Sequence, residues 1–366
     1  MRVLFYLGHP AQYHFLKHTA RNLLEDGNQV KILIKTKDVL ETLLQEDGWP
    51  YENIQVVPRK NTKWSILRAS LDRTVRVYRV ARRFEAEVLI GTDSSVAQAA
   101  WLLRKPAITT LEDDYEVIPN LARLTYPFTS CILVPAPCSV GRWTEKKIPY
   151  YGYMKLAYLH PCIFKPDRDV VDSYRIHGDF ILIRLAKLSA HHDTGIKGLN
   201  VALIHSIIKI VEERGLRVYI SSEFDLDPSL AGYQLRIKSS DIHHIMAFAS
   251  FLISDSQSMS VESAMLGVPS LRFSDFAGRI SVLEELENMY GLTFGIKTSE
   301  TEVLFEKVSY LLSYPNIREE FQNRRKKMLS DKINVTAFLT WFIENYPDSQ
   351  RKIKENPEYQ KMFQQQ

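Results

Sequence analysis

The segment FLISDSQSMSVESAMLGVPSLRF (Phe251–Phe273) contains a complete strand–helix–strand unit. Its apolar start, Phe251–Ser254, predicts a buried strand, and the small hydroxyl residues that follow predict a turn into a helix. The helical pattern ends at a Gly-x-Pro turn, after which Pro269–Phe273 predicts another strand. A strand–helix–strand repeat of this kind implies a right-handed crossover between parallel strands.

Short apolar runs alternate with helical patterns along the rest of the chain. Most are rich in Val, Ile and Leu on both faces, as in buried parallel sheets. The first series is RVLFYL (from Arg2), VKILI (Val30), IQVV (Ile54), VLIG (Val88), AITT (Ala107) and CILV (Cys131). The second is DFILIRL (from Asp179), RVYIS (Arg217), LRIK (Leu235), FLIS (Phe251) and PSLRF (Pro269). Two such series predict an α/β protein with two Rossmann-like domains.

The segment between the two series, residues 148–169, is rich in Tyr and Pro and has no clear periodicity. We therefore predict a boundary at about Phe164, with domains of residues 1–164 and 165–346. The apolar run Val335–Tyr346 predicts a helix that packs back onto a domain. Residues 347–366 are polar and are expected to fray.

Composition narrows the class of protein. The chain has 366 residues, 45% of them hydrophobic, and a net charge of only +4, which gives no argument for nucleic acid as a partner. The three cysteines, Cys131, Cys138 and Cys162, have no metal-ligand spacing and are expected to be reduced thiols. There is no signal-like start and no apolar stretch of about 20 residues, so a cytoplasmic protein is expected.

One segment, Lys63–Phe84, is locally basic, with seven basic residues and one acidic residue. Leu67, Leu71, Val75 and Tyr78 recur in it at helical spacing. Two interpretations stay open. The segment is either an ordinary solvated amphipathic helix, or a face that meets anionic lipid headgroups or an anionic acceptor at the inner side of a membrane.

The turn after Ser254 has the composition of an anion site. Ser258 is a candidate helix N-cap, and the exposed N–H groups of the first helical turn would join the hydroxyls of Ser256 and Ser258 around a phosphate. Glu262 follows one turn later, and a carboxylate can accept both hydroxyls of a ribose diol. A phosphate site and a ribose site this close together predict that a nucleotide diphosphate binds here. The alternative is that the segment is a capped surface helix with an exposed glutamate.

This segment resembles the nucleotide-binding segment of GT-B enzymes and is similar to that of the non-hydrolysing UDP-N-acetylglucosamine 2-epimerases. Four other segments, FYLGHPAQYHFLK, YLHPCIFKPD, AHHDTGIKGL and ELENMYGL, resemble an uncharacterised family of glycosyltransferase-like proteins linked with surface polysaccharide synthesis. The resemblance covers roughly Arg2–Leu292. It implies a GT-B fold, in which two Rossmann-like domains face a central cleft and bind a nucleotide-diphosphate sugar.

By this resemblance, Glu262 would hold the ribose and the run Ser256, Gln257, Ser258 would meet the diphosphate. The family's paired glycines are replaced here by Ser256 and Gln257, and the first of its two glutamates by Val261.

The loop after Leu185 resembles the epimerase His-Arg-Arg loop, with His191 closest to the functional histidine. Arg184 and Lys197 can meet a pyrophosphate, and Gly198 permits close backbone approach. No metal or other cofactor is expected.

In the N-terminal half, the resemblance places Asp93 and Glu112 on two catalytic carboxylate positions. A third falls near Asn120, where there is no acid, and this weakens the epimerase interpretation because C2 epimerisation requires proton removal and return. Asp93 is alternatively a helix cap. The loop GHPAQYH offers His14 or His9 as a base that deprotonates an acceptor hydroxyl, unless both are structural.

The preferred interpretation is a glycosyltransferase that moves a sugar, from a UDP-sugar in particular, to a surface-polysaccharide, lipid-linked or modified-sugar acceptor. A UDP-HexNAc 2-epimerase of the same fold is the first alternative. A non-catalytic nucleotide-sugar-binding protein is the second.

Overall fold

The protein's structure, a computed structural model, describes residues 1–36, 39–55, 63–186 and 198–364, with only the backbone for residues 63–68. The chain forms two compact units. The first comprises Met1–Tyr158 together with Lys332–Gln366, and the second comprises Leu159–Asp331.

The first unit is built on a seven-stranded parallel sheet with strand order β3-β2-β1-β4-β5-β6-β7. Its strand β1 is buried on both faces, which explains the continuous apolar run in the sequence. The strands are β1 (Arg2–Leu7), β2 (Gln29–Lys35), β3 (Tyr51–Gln55), β4 (Val88–Gly91), β5 (Ala107–Thr110), β6 (Cys131–Pro135) and β7 (Lys147–Tyr150). The helices are α1 (Pro10–Glu25), α2 (Leu40–Glu46), α3 (Lys63–Phe84), α4 (Ser94–Leu103), α5 (Pro119–Thr125) and α6 (Leu156–Leu159), which ends at the boundary between the units.

The second unit has a five-stranded parallel sheet with strand order β12-β11-β10-β8-β9. Its strands are β8 (Phe180–Leu185), β9 (Arg217–Ser222), β10 (Leu252–Ser254), β11 (Ser270–Phe273) and β12 (Thr293–Ile296). Its helices are α7 (Arg168–Ser173), α8 (Val201–Glu212), α9 (Ile242–Phe248), α10 (Gln257–Leu266), α11 (Ser281–Asn288), α12 (Thr301–Ser313) and α13 (Ile317–Asp331). The middle strand β10 leads directly into α10, so the segment Phe251–Phe273 lies at the centre of this unit.

The C-terminal segment differs from the predicted division into 1–164, 165–346 and 347–366. The helix α14 (Val335–Glu344) belongs to the first unit, because Phe338 and Leu339 are completely buried there. Asn22 of α1 donates a hydrogen bond to Thr340 Oγ1 over 3.3 Å.

The described part of the polar tail, residues 347–364, is also ordered rather than frayed. It forms α15 (Asp348–Glu355) and a 3₁₀ helix (Pro357–Phe363). Ile353 and Phe363 are buried, and Gln360 Oε1 accepts from the N–H of Tyr151 at 2.7 Å. The polar composition of this segment therefore gave no indication that Ile353 and Phe363 would be buried.

Three strand assignments differ from the sequence prediction. β7 and β12 are strands where none was predicted, and each carries a residue that seldom marks a strand, Pro149 or Gly295. Leu235–Lys238 is not a strand, although Leu235 N–H donates to Ile220 O of β9 at 2.8 Å. IQVV coincides with β3 only at Ile54 and Gln55, and its last two residues lie outside the described chain.

Candidate functional site

Ser256 caps the helix that follows the middle strand of the second unit. Its Oγ accepts from Met259 N–H at 3.4 Å, and its backbone is extended, so the cap lies two residues before the predicted Ser258. Ser254 Oγ accepts from Ser256 N–H at 2.9 Å and donates to Arg184 O at 3.0 Å, which fixes the turn to β8. The positive end of the α10 dipole thus lies at the carboxyl end of β10, a place that favours anions.

Glu262 is buried, with 7% of its surface exposed, so the exposed-glutamate alternative is wrong. Its Oε2 lies 3.3 Å from His243 Nε2 of α9, and the His243 ring is in turn in edge contact with Phe164. Burying a carboxylate is costly unless polar or charged groups surround it. The contact with His243 therefore holds Glu262 in place as a polar acceptor in the second turn of α10.

Asp255 connects the turn to the neighbouring strand. Its Oδ1 accepts from Ala186 N–H at 2.8 Å, and burial raises the pKa of its carboxyl to about 6. A Cβ at Gly198 would lie 2.6 Å from Asp255 Oδ2, so only glycine fits there. The small size of Gly198 thus accommodates Asp255, and its predicted role in close approach to a pyrophosphate stays a prediction.

The side chain of Gln257 is engaged in the unit's interior. Its Oε1 accepts from Arg272 Nη1 at 3.1 Å, and its Nε2 donates to Ser274 Oγ at 2.9 Å. Arg272 is completely buried, 3.8 Å from Glu287. Gln257 therefore connects the start of α10 to the end of β11. The neighbouring Ser258, in the first turn of α10, is half-buried.

The side chain of Arg184, at the end of β8, is bound by residues at the end of β9. Its guanidinium donates to Ser221 Oγ at 2.7 Å and to Glu223 Oε1 at 2.6 Å. To meet a diphosphate, Arg184 would exchange the bond to Glu223 for the ligand. The other two candidates of this loop, His191 and Lys197, lie outside the described residues.

Asp93, after β4 of the first unit, is the N-cap of α4. Its Oδ1 accepts from Ser95 N–H at 3.0 Å and from Ser95 Oγ at 2.8 Å. Its Oδ2 lies 3.4 Å from Nη1 of the buried Arg73. The capping alternative is therefore realised, and one carboxylate oxygen faces a cation.

Glu112, after β5, has both carboxylate oxygens engaged. Oε1 accepts from Met154 N–H at 2.7 Å, and Oε2 accepts from Lys155 Nζ at 2.6 Å. Lys155 is 5% exposed, so this is a buried ion pair. Such a pair suits a structural anchor better than an acid that exchanges protons with a substrate. Asn120, the third carboxylate position of the resemblance, is exposed.

The two candidate histidines lie at the start of α1. His9 is exposed and caps the helix, because its Nδ1 accepts from Ala11 N–H at 3.2 Å. His14 is half-buried, with its ring centroid 5.3 Å from that of Tyr158. The sequence did not identify Lys155 or His243, because their carboxylate partners are on other elements and no motif spacing connects them.

Two absences hold for the described part of the chain. No group of three or more His, Cys, Asp or Glu residues is arranged to hold a metal ion there. Nor does any helix within those residues have the length and apolarity needed to cross a bilayer.

Comparison with solved structures shows the same fold in several enzymes. The UDP-GlcNAc 2-epimerase from Neisseria meningitidis, solved with UDP-GlcNAc bound, matches with a TM-score of 0.68 and 16% identity, covering 96% of this chain and 100% of that one. The Methanocaldococcus jannaschii UDP-GlcNAc 2-epimerase, solved with UDP-GlcNAc and UDP, matches with a TM-score of 0.63 and 14% identity, covering 89% and 99%. The kitacinnamycin glycosyltransferase matches with a TM-score of 0.58 and 12% identity, covering 94% and 98%.

No protein-family model and no curated protein matches the sequence. The structural matches confirm the predicted fold, an α/β GT-B fold with two Rossmann-like units, and show that this fold is shared with the epimerases that the sequence resembles. At such identities the likeness establishes the fold alone.

Proposed function

We propose that the chain is an enzyme that binds a nucleotide-diphosphate sugar, a UDP-sugar in particular, on its second unit. The observation that carries this proposal is the buried carboxylate of Glu262, one turn beyond the first turn of α10 at the carboxyl end of β10. We assign the ribose hydroxyls to Glu262 and the diphosphate to the amides and hydroxyls of Ser256–Ser258. The bound UDP-GlcNAc and UDP of the similar epimerases support a ligand of this class.

The physical basis of this assignment is complementary charge. A phosphate at the N-terminus of α10 would gain about 0.3–1 kcal/mol from the helix dipole in addition to its hydrogen bonds. The ribose hydroxyls would donate to Glu262, whose carboxylate is buried beside His243. Arg184, and the candidates His191 and Lys197, would add positive charge beside the diphosphate.

For the reaction, we propose 2-epimerisation of a UDP-N-acetylhexosamine as the first candidate, because epimerases with this activity are prominent among the similar structures. Asp93 would be its acid or base. Glycosyl transfer to a carbohydrate or lipid-linked acceptor is the second candidate, with His14, His9 or Asp93 as base. The engagement of Glu112 by Lys155 favours transfer, because it removes a carboxylate that epimerisation would use.

Nucleotide binding is tested with Glu262→Gln. Removing the charge of a hydrogen-bonded acceptor should weaken UDP binding by about 1.5–3 kcal/mol, roughly 10- to 100-fold in Kd. The matched control is Glu306→Gln on α12, where the glutamate is exposed. Calorimetric titration with UDP, and with GDP, CDP and dTDP for comparison, measures the effect. Equal UDP affinity in both variants would remove Glu262 from the site.

The reaction is tested with UDP-GlcNAc in deuterium oxide without an acceptor. Deuterium at C2 of the sugar, detected by mass spectrometry and NMR, establishes epimerisation, and Asp93→Asn should then abolish the exchange. No exchange, combined with release of UDP only when an acceptor glycan is added, establishes transfer. UDP-sugar binding without either result leaves the remaining alternative, a non-catalytic nucleotide-sugar-binding protein.

A further inference from the structure

Three helices of the first unit, α3, α4 and α5, each expose large apolar side chains. Trp101 is 60% exposed and Leu102 is 54% exposed, although Trp is normally well buried. The other members of the set are Leu71, Val75 and Leu124. On α3, Leu71 and Val75 therefore point outward, while Val77, Val80 and Ala81 pack into the core.

Hydrogen bonds fix these helices side by side. Thr74 Oγ1 of α3 donates to Gln98 Oε1 of α4 at 2.9 Å, and Gln98 Nε2 donates to Leu124 O of α5 at 3.3 Å. A groove of about 790 Å³ runs between α3 and α4. Its lining residues are Val75, Tyr78, Arg79, Arg82, Arg83 and Leu102. The helices that carry the exposed apolar residues are therefore neighbours, and we call their outer surface the α3–α5 face.

The α3–α5 face also carries positive charge. Arg79 and Arg82 are exposed in the groove, and Arg104 and Lys105 follow shortly after Leu102. The one acid in Lys63–Phe84, Asp72, is paired with Arg76 at 2.9 Å. The sequence has no acidic residue from Ser94 to Leu111. Arg83, which also lines the groove, is paired with Glu52 Oε2 at 3.0 Å. Exposed apolar side chains and cations thus share a surface on which Arg76 and Arg83 are paired with acids and Arg79 and Arg82 add exposed positive charge.

We propose that the α3–α5 face docks on a bilayer containing anionic lipids. The charge complementarity of the arginines with lipid phosphates argues for this partner. Trp and Leu side chains suit the boundary between headgroups and acyl chains. This peripheral contact is independent of nucleotide binding, because its residues are on the first unit and none is assigned to the nucleotide.

Vesicle cosedimentation tests the proposal with two compositions, phosphatidylcholine alone and phosphatidylcholine with about one-third phosphatidylglycerol. The protein should bind the anionic vesicles, and added salt should release it. Arg79→Gln with Arg82→Gln should weaken binding about 25-fold, from about fivefold for each charge near the surface. Trp101→Ser should weaken it by about tenfold or more.

Two control variants match these changes elsewhere on the surface. Met289→Ser removes an apolar side chain that is also 60% exposed, and Arg214→Gln removes an exposed arginine of the second unit. Both should bind vesicles as the wild type does. Circular dichroism checks that every variant folds.

Three outcomes would overturn the proposal. They are no binding to anionic vesicles, equal losses in the control variants, and a concentration-dependent dimer that Trp101→Ser dissociates while vesicle binding stays unchanged. The last outcome, seen by analytical ultracentrifugation, would assign the face to a second copy of the chain.

Discussion

Replacing Asp255 by Asn should change how stability depends on pH. Burial raises the pKa of this carboxyl from its ordinary value of 3.8 to about 6. Between these values the native protein keeps a proton that the unfolded chain has lost. The resulting stability is fully present below about pH 4 and is lost as the pH rises through about 6.

The full loss corresponds to about 3 kcal/mol, because every tenfold difference in proton affinity between the folded and unfolded states is worth about 1.4 kcal/mol. Asparagine keeps an oxygen that can accept from Ala186 N–H but cannot ionise. The free energy of unfolding of Asp255→Asn, relative to the wild type, should therefore rise by about 1 kcal/mol between about pH 5 and 7.

Urea denaturation of wild type and variant at several pH values measures this difference. Asp225→Asn serves as the control, because it removes a carboxylate that is exposed in the same unit. Its difference from the wild type should stay constant over the same range. If the Asp255→Asn difference is equally constant, Asp255 does not titrate as its burial requires, and the reasoning about this turn is refuted.

Three further changes address the first unit. Lys155→Met leaves the buried Glu112 without its cation and should lower the free energy of unfolding in urea by about 3–5 kcal/mol, with part restored when Glu112→Met is added. Phe338→Ala removes a completely buried ring and should cost about 3–5 kcal/mol, seen as a lower Tm in calorimetry. Gly152→Ala would place a Cβ 2.4 Å from Val335 Cγ2 and should lower the free energy of unfolding by about 1–3 kcal/mol, measured by thermal denaturation. Adding Val335→Ala should relieve the clash. An unchanged Tm for Gly152→Ala would show that the backbone shifts to accommodate the methyl group.

Most strands could be predicted from sequence because burial on both faces leaves an unbroken apolar signal. β1 and β8 are examples, with almost every side chain buried. The signal fails where a strand is short and carries polar or unusual residues, as at β7 and β12. The C-terminal helix α14 was assigned to the wrong unit for another reason. Its apolar pattern predicts that it is buried but does not indicate against which sheet.

The candidate site was predictable only where its parts are local. The strand, turn and helix around Ser256 and Glu262 are contiguous, so their spacing indicated their proximity. The cap was misplaced by two residues because Ser254, Ser256 and Ser258 all offer a hydroxyl there. The contacts of Glu262 with His243 and of Glu112 with Lys155 join separate elements, and only tertiary packing creates them.

The return of residues 332–366 to the first unit has a consequence for biosynthesis. The ribosome must make the entire second unit before α14 can reach α1, which takes on the order of ten seconds or more at ordinary elongation rates. During that interval Asn22 and Asn28 lack Thr340 and Glu344, their hydrogen-bond partners in the finished protein. The first unit is thus synthesised first but completed last. Until α14 is made, the surface of α1 that α14 covers in the finished protein is exposed to solvent and accessible to chaperones.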